Sequence, residues 1–159
     1  MVATGDDSDC PSISGKGRFV VFSSFATNLP GVTAPDPQVF RRDTQLNKLA
    51  LVSRNNPGQA ASGGAVYGQP SADGRFVTFE GQGTNLPGGN DSYTQAYVRD
   101  LQQGRTLLLS KAGDGTPGDG ESSRVSISAD GRWAAYNSSA SNLGATPPNL
   151  SVFRSGPIH

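Results

Sequence analysis

An all-β fold of stacked, four-stranded antiparallel sheets is what this sequence predicts, and three features predict it. Glycine (21) and proline (11) together fill about a fifth of the 159 residues, a share that marks a chain of many turns. Gly17-Arg18-Phe19-Val20 recurs as Gly74-Arg75-Phe76-Val77 and again as Gly131-Arg132-Trp133-Ala134, two steps of 57 residues (17 to 74, 74 to 131). Each copy contains short runs of strand-forming residues separated by Gly, Pro, Asn and Asp, the pattern of short strands and turns.

The second copy shows the elements in order. Its strands are expected at roughly Val66–Ser71, Arg75–Glu80, Thr94–Asp100 and Arg105–Lys111. Between the first two, Ser71-Ala72-Asp73-Gly74 reads as a tight turn, with Asp bonding its own backbone and Gly supplying a positive φ. Ser128-Ala129-Asp130-Gly131 repeats it, and Ser14-Gly15-Lys16-Gly17 keeps the glycine without the Asp. The second strand of the first copy, Phe19-Val20-Val21-Phe22, is apolar on both alternating faces and is expected to be covered on both sides. Thr27-Asn28-Leu29-Pro30, Thr84-Asn85-Leu86-Pro87 and Ser141-Asn142-Leu143-Gly144 follow at the same offset, their Asn residues expected to fix a turn. The third strands end in Arg42-Asp43 and Arg99-Asp100, read as ion pairs or turn caps. Val152-Phe153-Arg154 is the third strand of the last copy, after a loop one residue shorter, and no fourth strand matches there.

The copies span about 8–64, 65–120 and 121–159 as one domain, with strands expected in sets of four, four and three. Doubly covered sheets of this kind stack radially in a β-propeller, which closes with four to eight blades. Three blades leave an apolar face on each flank, and such faces mark interfaces. Closure by a second copy into a six-bladed homodimer is therefore expected, the alternative being a segment of a longer propeller.

The quoted motifs, Ser-Ala-Asp-Gly-Arg-Phe-Val-x-Phe, Thr-Asn-Leu-Pro and Tyr-Val-Arg-Asp-Leu, resemble the TolB-like, WD-type β-propeller repeats of bacterial proteins over about residues 8–155. The resemblance implies a six-bladed propeller and a periplasmic or extracellular setting. Gly88-Gly89-Asn90-Asp91-Ser92 stands where family repeats carry an Asp-Thr-Asn-Gly-type stretch, a departure that weakens an ion-binding role. Met1 to Asp7 hold neither a basic start nor an apolar stretch, so no signal peptide is expected in the chain as given.

Several functions are disfavoured by composition. Thirteen basic and thirteen acidic residues cancel, leaving no electrostatic footprint of a nucleic-acid binder, and no apolar run reaches the roughly 18 residues of a membrane span. His159, the one histidine, is terminal, and Cys10 is the one cysteine, so an internal disulfide and a Cys–His pair in ordered structure are both excluded. No Gly-x-Ser-x-Gly elbow or phosphate loop is present. The chain is expected to be non-catalytic and to need no cofactor; Asp114, Asp119, Glu121, Asn90 and Asp91 offer oxygen atoms of the kind calcium takes, without an ordered loop motif.

The aromatic residues Trp133 and Tyr136 repeat Phe19 and Phe22 and are read as core, and Tyr97 repeats Phe40 and is read as core or channel-lining. Tyr67 and Tyr93 have no aromatic counterpart in the other copies. Tyr93, Tyr67 and the neighbouring Asn90 and Asp91 are the candidate ligand-contact residues; long loops such as that of Asn90, Asp91 and Tyr93 converge at one end of the disc. The function expected is binding or scaffolding, with a protein, peptide or glycan docked at that loop-rich face. Two other readings stand beside it: a propeller accessory to a hydrolase or peptidase, and a lectin-like propeller.

Overall fold

The computed structural model describes residues 7–33, 35–146 and 149–158. Met1 to Asp6 and the terminal His159 lie outside the described residues, together with the expectations attached to them. Three antiparallel sheets hold the strands, each a simple meander. The first comprises β1 (Ser8–Ile13), β2 (Phe19–Ser24), β3 (Gln38–Asp43) and β4 (Lys48–Leu51). The second comprises β5 (Ala65–Pro70), β6 (Phe76–Gly81), β7 (Gln95–Asp100) and β8 (Arg105–Leu108). The third has β9 (Ser122–Ile127), β10 (Ala134–Ser138) and β11 (Ser151–Ser155). The first strands of neighbouring sheets touch, β1 against β5 and β5 against β9, which puts them on the inside of the stack. This is a three-bladed segment of a β-propeller. Among the described residues no helix is long and apolar enough to cross a membrane.

The turn between the first and second strands forms as its residues dictate. Ser71 Oγ accepts the Phe76 N–H at 3.1 Å and donates to Asp73 Oδ1 at 2.6 Å, while the Arg75 N–H reaches the same carboxylate oxygen at 3.0 Å. Gly74 supplies the positive φ of 68°. Ser128, Asp130 and Gly131 build the same turn. In the first copy Ser14 Oγ still accepts from Phe19 N at 3.0 Å, and Lys16 takes the place of the Asp.

The arginine of each Gly-Arg-Phe motif finds the aspartate at the end of the third strand. Arg18 donates through Nε and Nη2 to Asp43 at 3.0 and 2.7 Å, and Arg75 likewise to Asp100 at 3.1 and 2.6 Å. Each carboxylate also accepts two N–H groups of the turn after it, Gln45 and Leu46 in one case, Gln102 and Gln103 in the other. Both readings of these aspartates hold at once: they are ion pairs and turn caps.

Apolar side chains fill the gaps between sheets. Val21, Val39 and Val52 of the first meet Phe79, Leu86 and Tyr97 of the second in one cluster. Phe76, Ala96 and Val98 of the second meet Val125, Ala134 and Tyr136 of the third in another. Both central strands of the middle sheet, β6 and β7, are buried at every residue. In β2, by contrast, Phe22 is only partly buried, because its face looks away from the other two sheets. Double coverage thus belongs to the middle sheet, and the end sheets have one covered face each. Trp133 departs from its expected core role for the same reason. It lies half-buried on the far flank of the third sheet, with the Arg154 guanidinium 4.3 Å over its ring.

Tyr97 and Tyr136 are core, as their positions imply. Burial pushes the Tyr97 phenol well up, and its hydroxyl has no hydrogen-bond partner among the described residues. The ring stacks on Phe79 at 5.3 Å between centroids, just as Phe22 stacks on Phe40 at 5.8 Å. Tyr97→Phe is therefore expected to stabilise the fold by about 1 kcal/mol, the cost of an unmet buried polar group. Thermal unfolding should show a midpoint a few degrees higher.

Candidate functional site

The innermost strands carry one backbone irregularity three times. The pairing register shifts between Asp9 and Ser12, between Val66 and Gln69, and in the third sheet between Ala135 and Asn137. At each bulge a non-glycine residue adopts the left-handed region: Cys10 at φ 53°, Tyr67 at 56° and Arg124 at 53°. The three are spaced by the repeat (10, 67, 124), so the bulge is built into the blade. The identity of the residue placed on it is free to vary.

Between the second and third sheets the bulges border a recess of about 640 Å³. Tyr67, Gln69, Glu80, Ser123, Arg124, Val125 and Ser126 line it. Tyr67 is 52% exposed and presents an aromatic face beside polar groups, the mixture that binding sites use to hold and orient a ligand. Glu80, on β6, is only 6% exposed, and its carboxylate accepts the backbone N–H of Arg124 in the next sheet. Burial raises its pKa from the usual carboxylate value against the opposing pull of that N–H. Ser23 and Asn137 hold the equivalent places in the other sheets, so the carboxylate is peculiar to the middle blade.

A second recess, of about 190 Å³, lies against the first connections of the loop-rich end. Gly64, Gln82 and Thr94 border it, and Glu80 lines it as well. Glu80 thus joins the channel-side recess to the loops.

Of the expected contact residues one lines a recess and three lie on a loop beside the smaller one. Tyr67 lines the larger recess directly. Asn90, Asp91 and Tyr93 lie in the connection between β6 and β7. Asn90 Oδ1 accepts the N–H groups of Ser92 and Tyr93, both at 2.8 Å, so this side chain shapes the loop. The Asp91 carbonyl accepts from Gln82 Nε2 at 2.7 Å, tying the loop to the rim of the smaller recess. Tyr93 is 38% exposed. Glu80 and Arg124 are the site residues that sequence reasoning passed over. The test that singled out Tyr67, a residue unlike its repeat counterparts, would have found both had it been applied to charged residues.

The oxygen-rich loops do not converge. Asp119 accepts from Ser141 Oγ and Asn142 N, Asp114 from Thr116 N, and Glu121 from Thr94 N. Among the described residues no three His, Cys, Asp or Glu side chains come together in an arrangement that could hold a metal ion. Asn85 and Asn142 each pin the outgoing loop of the preceding blade, through the carbonyls of Ala60 and Pro117 at 2.7 and 2.8 Å.

No family model and no curated protein matches the chain. Among solved structures, TolB from Acinetobacter baumannii is similar over 94% of this chain and 29% of its own, with 15% identity and a TM-score of 0.56. An oligogalacturonate lyase in complex with manganese aligns over 97% of this chain and 36% of its own, at 14% identity and a TM-score of 0.49. The chain spans about a third of the length of these structures. The likeness to TolB is one of fold, and it agrees with the propeller geometry of the three sheets.

Proposed function

We propose that the chain is a non-catalytic binding module, half of a propeller ring completed by a second copy. In this reading it docks a protein, peptide or glycan segment at its loop-rich end and in the channel-side recess. The observation that carries the reading is the junction at Glu80: two recesses meet there, one opening to the loops and one presenting Tyr67 and Arg124. An exposed aromatic ring, a guanidinium, and amide and hydroxyl groups suit a polar, extended ligand better than a compact apolar one. The Glu80 carboxylate is engaged in fixing the bulge of the neighbouring strand, which supports a structural role for it over acid–base work.

Tyr67 allows ligand binding to be separated from stability. Its left-handed φ costs a non-glycine residue about 1–2 kcal/mol, whereas glycine loses about 0.5–1 kcal/mol in chain entropy and gives up the burial of a ring that is 52% exposed. Tyr67→Gly is thus expected to leave the unfolding free energy within about 0.5 kcal/mol of the parent. Screened on a glycan array and a peptide-display library, it should lose at least tenfold in binding to whatever the parent chain retains. Unchanged binding would remove the recess from the proposal.

A further inference from the structure

We infer that the two open flanks of the three-sheet stack are the two halves of one interface, closed by a clasp of Trp133 and Arg154 on the Gly17 turn of a second copy. The inference rests on the half-ring reading above and adds the surface that closes it. Its ground is that the chain already contains the same interface twice, each time with the same positions in contact.

At both internal interfaces the aromatic residue opening the second strand sits on the turn glycine of the following sheet. A Cβ on Gly74 would lie 2.1 Å from the Phe19 ring, and one on Gly131 would lie 2.5 Å from the Phe76 ring. Trp133 holds this position in the third sheet, and the unused turn glycine is Gly17. A Cβ there would meet only Ile13 Cδ1, at 3.9 Å. At the first internal interface an arginine accompanies the ring, at a position that Val98 holds in the second sheet and Arg154 in the third. Arg41 lies 4.5 Å over the Phe19 ring and donates through Nη1 to the Gly74 carbonyl at 2.6 Å. Arg154 lies over Trp133 in the same way, which aims its guanidinium at the carbonyl of Gly17 in the next copy.

The floor of the interface matches as well. Val21 and Val39, fully buried, press on Gly68. In the next interface the larger Val125 clusters with the smaller Ala96. On the open flanks the corresponding residues are Ala135 with Val152, the latter 77% exposed, and the exposed Pro11. A ring residue of middling size faces one small and one medium side chain, so the volumes are compensated as in the two internal cases. The closing contact therefore continues the series of interfaces established within the chain. Two copies give six sheets, within the four to eight that close a propeller, and a head-to-tail contact that closes after two copies leaves no free flank.

The turns supply a direct test. A Cβ on Gly15 would stand 3.4 Å from Ala72 Cβ, and the Ala72 N–H donates to the Ala129 carbonyl at 2.9 Å. Residues 15, 72 and 129 thus form a line of successive neighbours, with Ala129 due to meet Gly15 of the second copy at disulfide distance. In a Cys10→Ser background, the double variant Gly15→Cys/Ala129→Cys should oxidise to a covalent dimer, whereas either single variant should not give the heterologous link. By light scattering the parent chain should run at twice its mass at micromolar concentration. Val152→Asp, a change at a side chain exposed in the single chain, should weaken that dimer at least tenfold without lowering the thermal midpoint of the dissociated chain. A parent chain that stays monomeric overturns both the ring and the clasp. A dimer that neither cross-links nor responds to Val152→Asp overturns the clasp alone, and ligand binding through Tyr67 is judged separately.

Discussion

Gly68→Val is expected to destabilise the fold by about 3 kcal/mol or more, and two further substitutions are expected to recover most of the loss. A Cβ at Gly68 would lie 2.4 Å from Val21 Cγ1 and 2.6 Å from Val39 Cγ1, both on rigid, fully buried side chains. Neither valine can swing away, because each is held in a close-packed layer between two sheets. The equivalent site in the third sheet is Val125, and there Thr78 and Ala96 stand at the positions of Val21 and Val39. Val21→Thr with Val39→Ala transplants that solution into the first interface. The triple variant should return to within about 1.5 kcal/mol of the parent, because the summed side-chain volume is restored. The new hydroxyl at position 21 also has the Ser12 carbonyl to donate to, as Thr78 Oγ1 donates to that of Gln69. The urea midpoint at constant m-value is the measurement. A triple variant as unstable as Gly68→Val alone would mean that the interfaces are not interchangeable, and the inference about the open flanks would lose its ground.

That experiment also shows which part of the fold could be read without coordinates. The register of the repeat placed β5, β6 and β7 to within a residue and the start of β8 at Arg105, although β8 ends at Leu108, three residues before the expected Lys111. Turn residues such as Ser71, Asp73 and Gly74 act locally and betray themselves in composition. The aspartates ending β3 and β7 were legible for the same reason, although their arginine partners, 25 positions earlier, were not assigned. Contacts between sheets were harder. That Gly68 is small because Val21 and Val39 are large is a relation across 47 and 29 residues (68 to 21, 68 to 39), invisible to any local pattern.

The candidate site was legible only in part, and the reason is again physical. Tyr67 stood out as an aromatic residue without a scaffold role, and it lines the recess. Asn90 stood out too, but its side chain is spent on the N–H groups of Ser92 and Tyr93. Glu80 hid inside a strand that reads as ordinary β-structure. Its significance comes from the bulge of the neighbouring sheet, whose N–H it accepts. A repeat protein conceals its specific residues at positions where the scaffold tolerates any side chain, and the bulge is such a position.

Asp100→Ala is the second change expected to have a large effect, a loss of about 2–3 kcal/mol at neutral pH. The side chain is 3% exposed, and it ties three parts of the second blade: Arg75 at the start of β6, its own strand end, and the turn at Gln102 and Gln103. Alanine leaves two turn N–H groups unmet and Arg75 without its partner, although that arginine, 33% exposed, recovers some hydration. The same carboxylates make the fold acid-labile. Burial alone would raise the pKa of Asp100, but the Arg75 guanidinium and the turn N–H groups outweigh it and hold the group below its ordinary value. At Asp43 the hydrogen bonds from Arg18 hold the carboxyl far below the carboxylate range. A folded-state pKa below the unfolded one gives stability that is complete above the unfolded value, about 3.9, and is lost as the pH falls through the folded value. Glu80 works in the opposite sense: its raised pKa means that protonation in mild acid favours the folded state. Unfolding midpoints should therefore change little down to about pH 4.5 and fall steeply below about pH 4. Asp100→Ala should flatten that acid limb as well as lower the plateau. A variant with a lower plateau and an unchanged acid limb would show that Asp100 acts through packing and not through its charge.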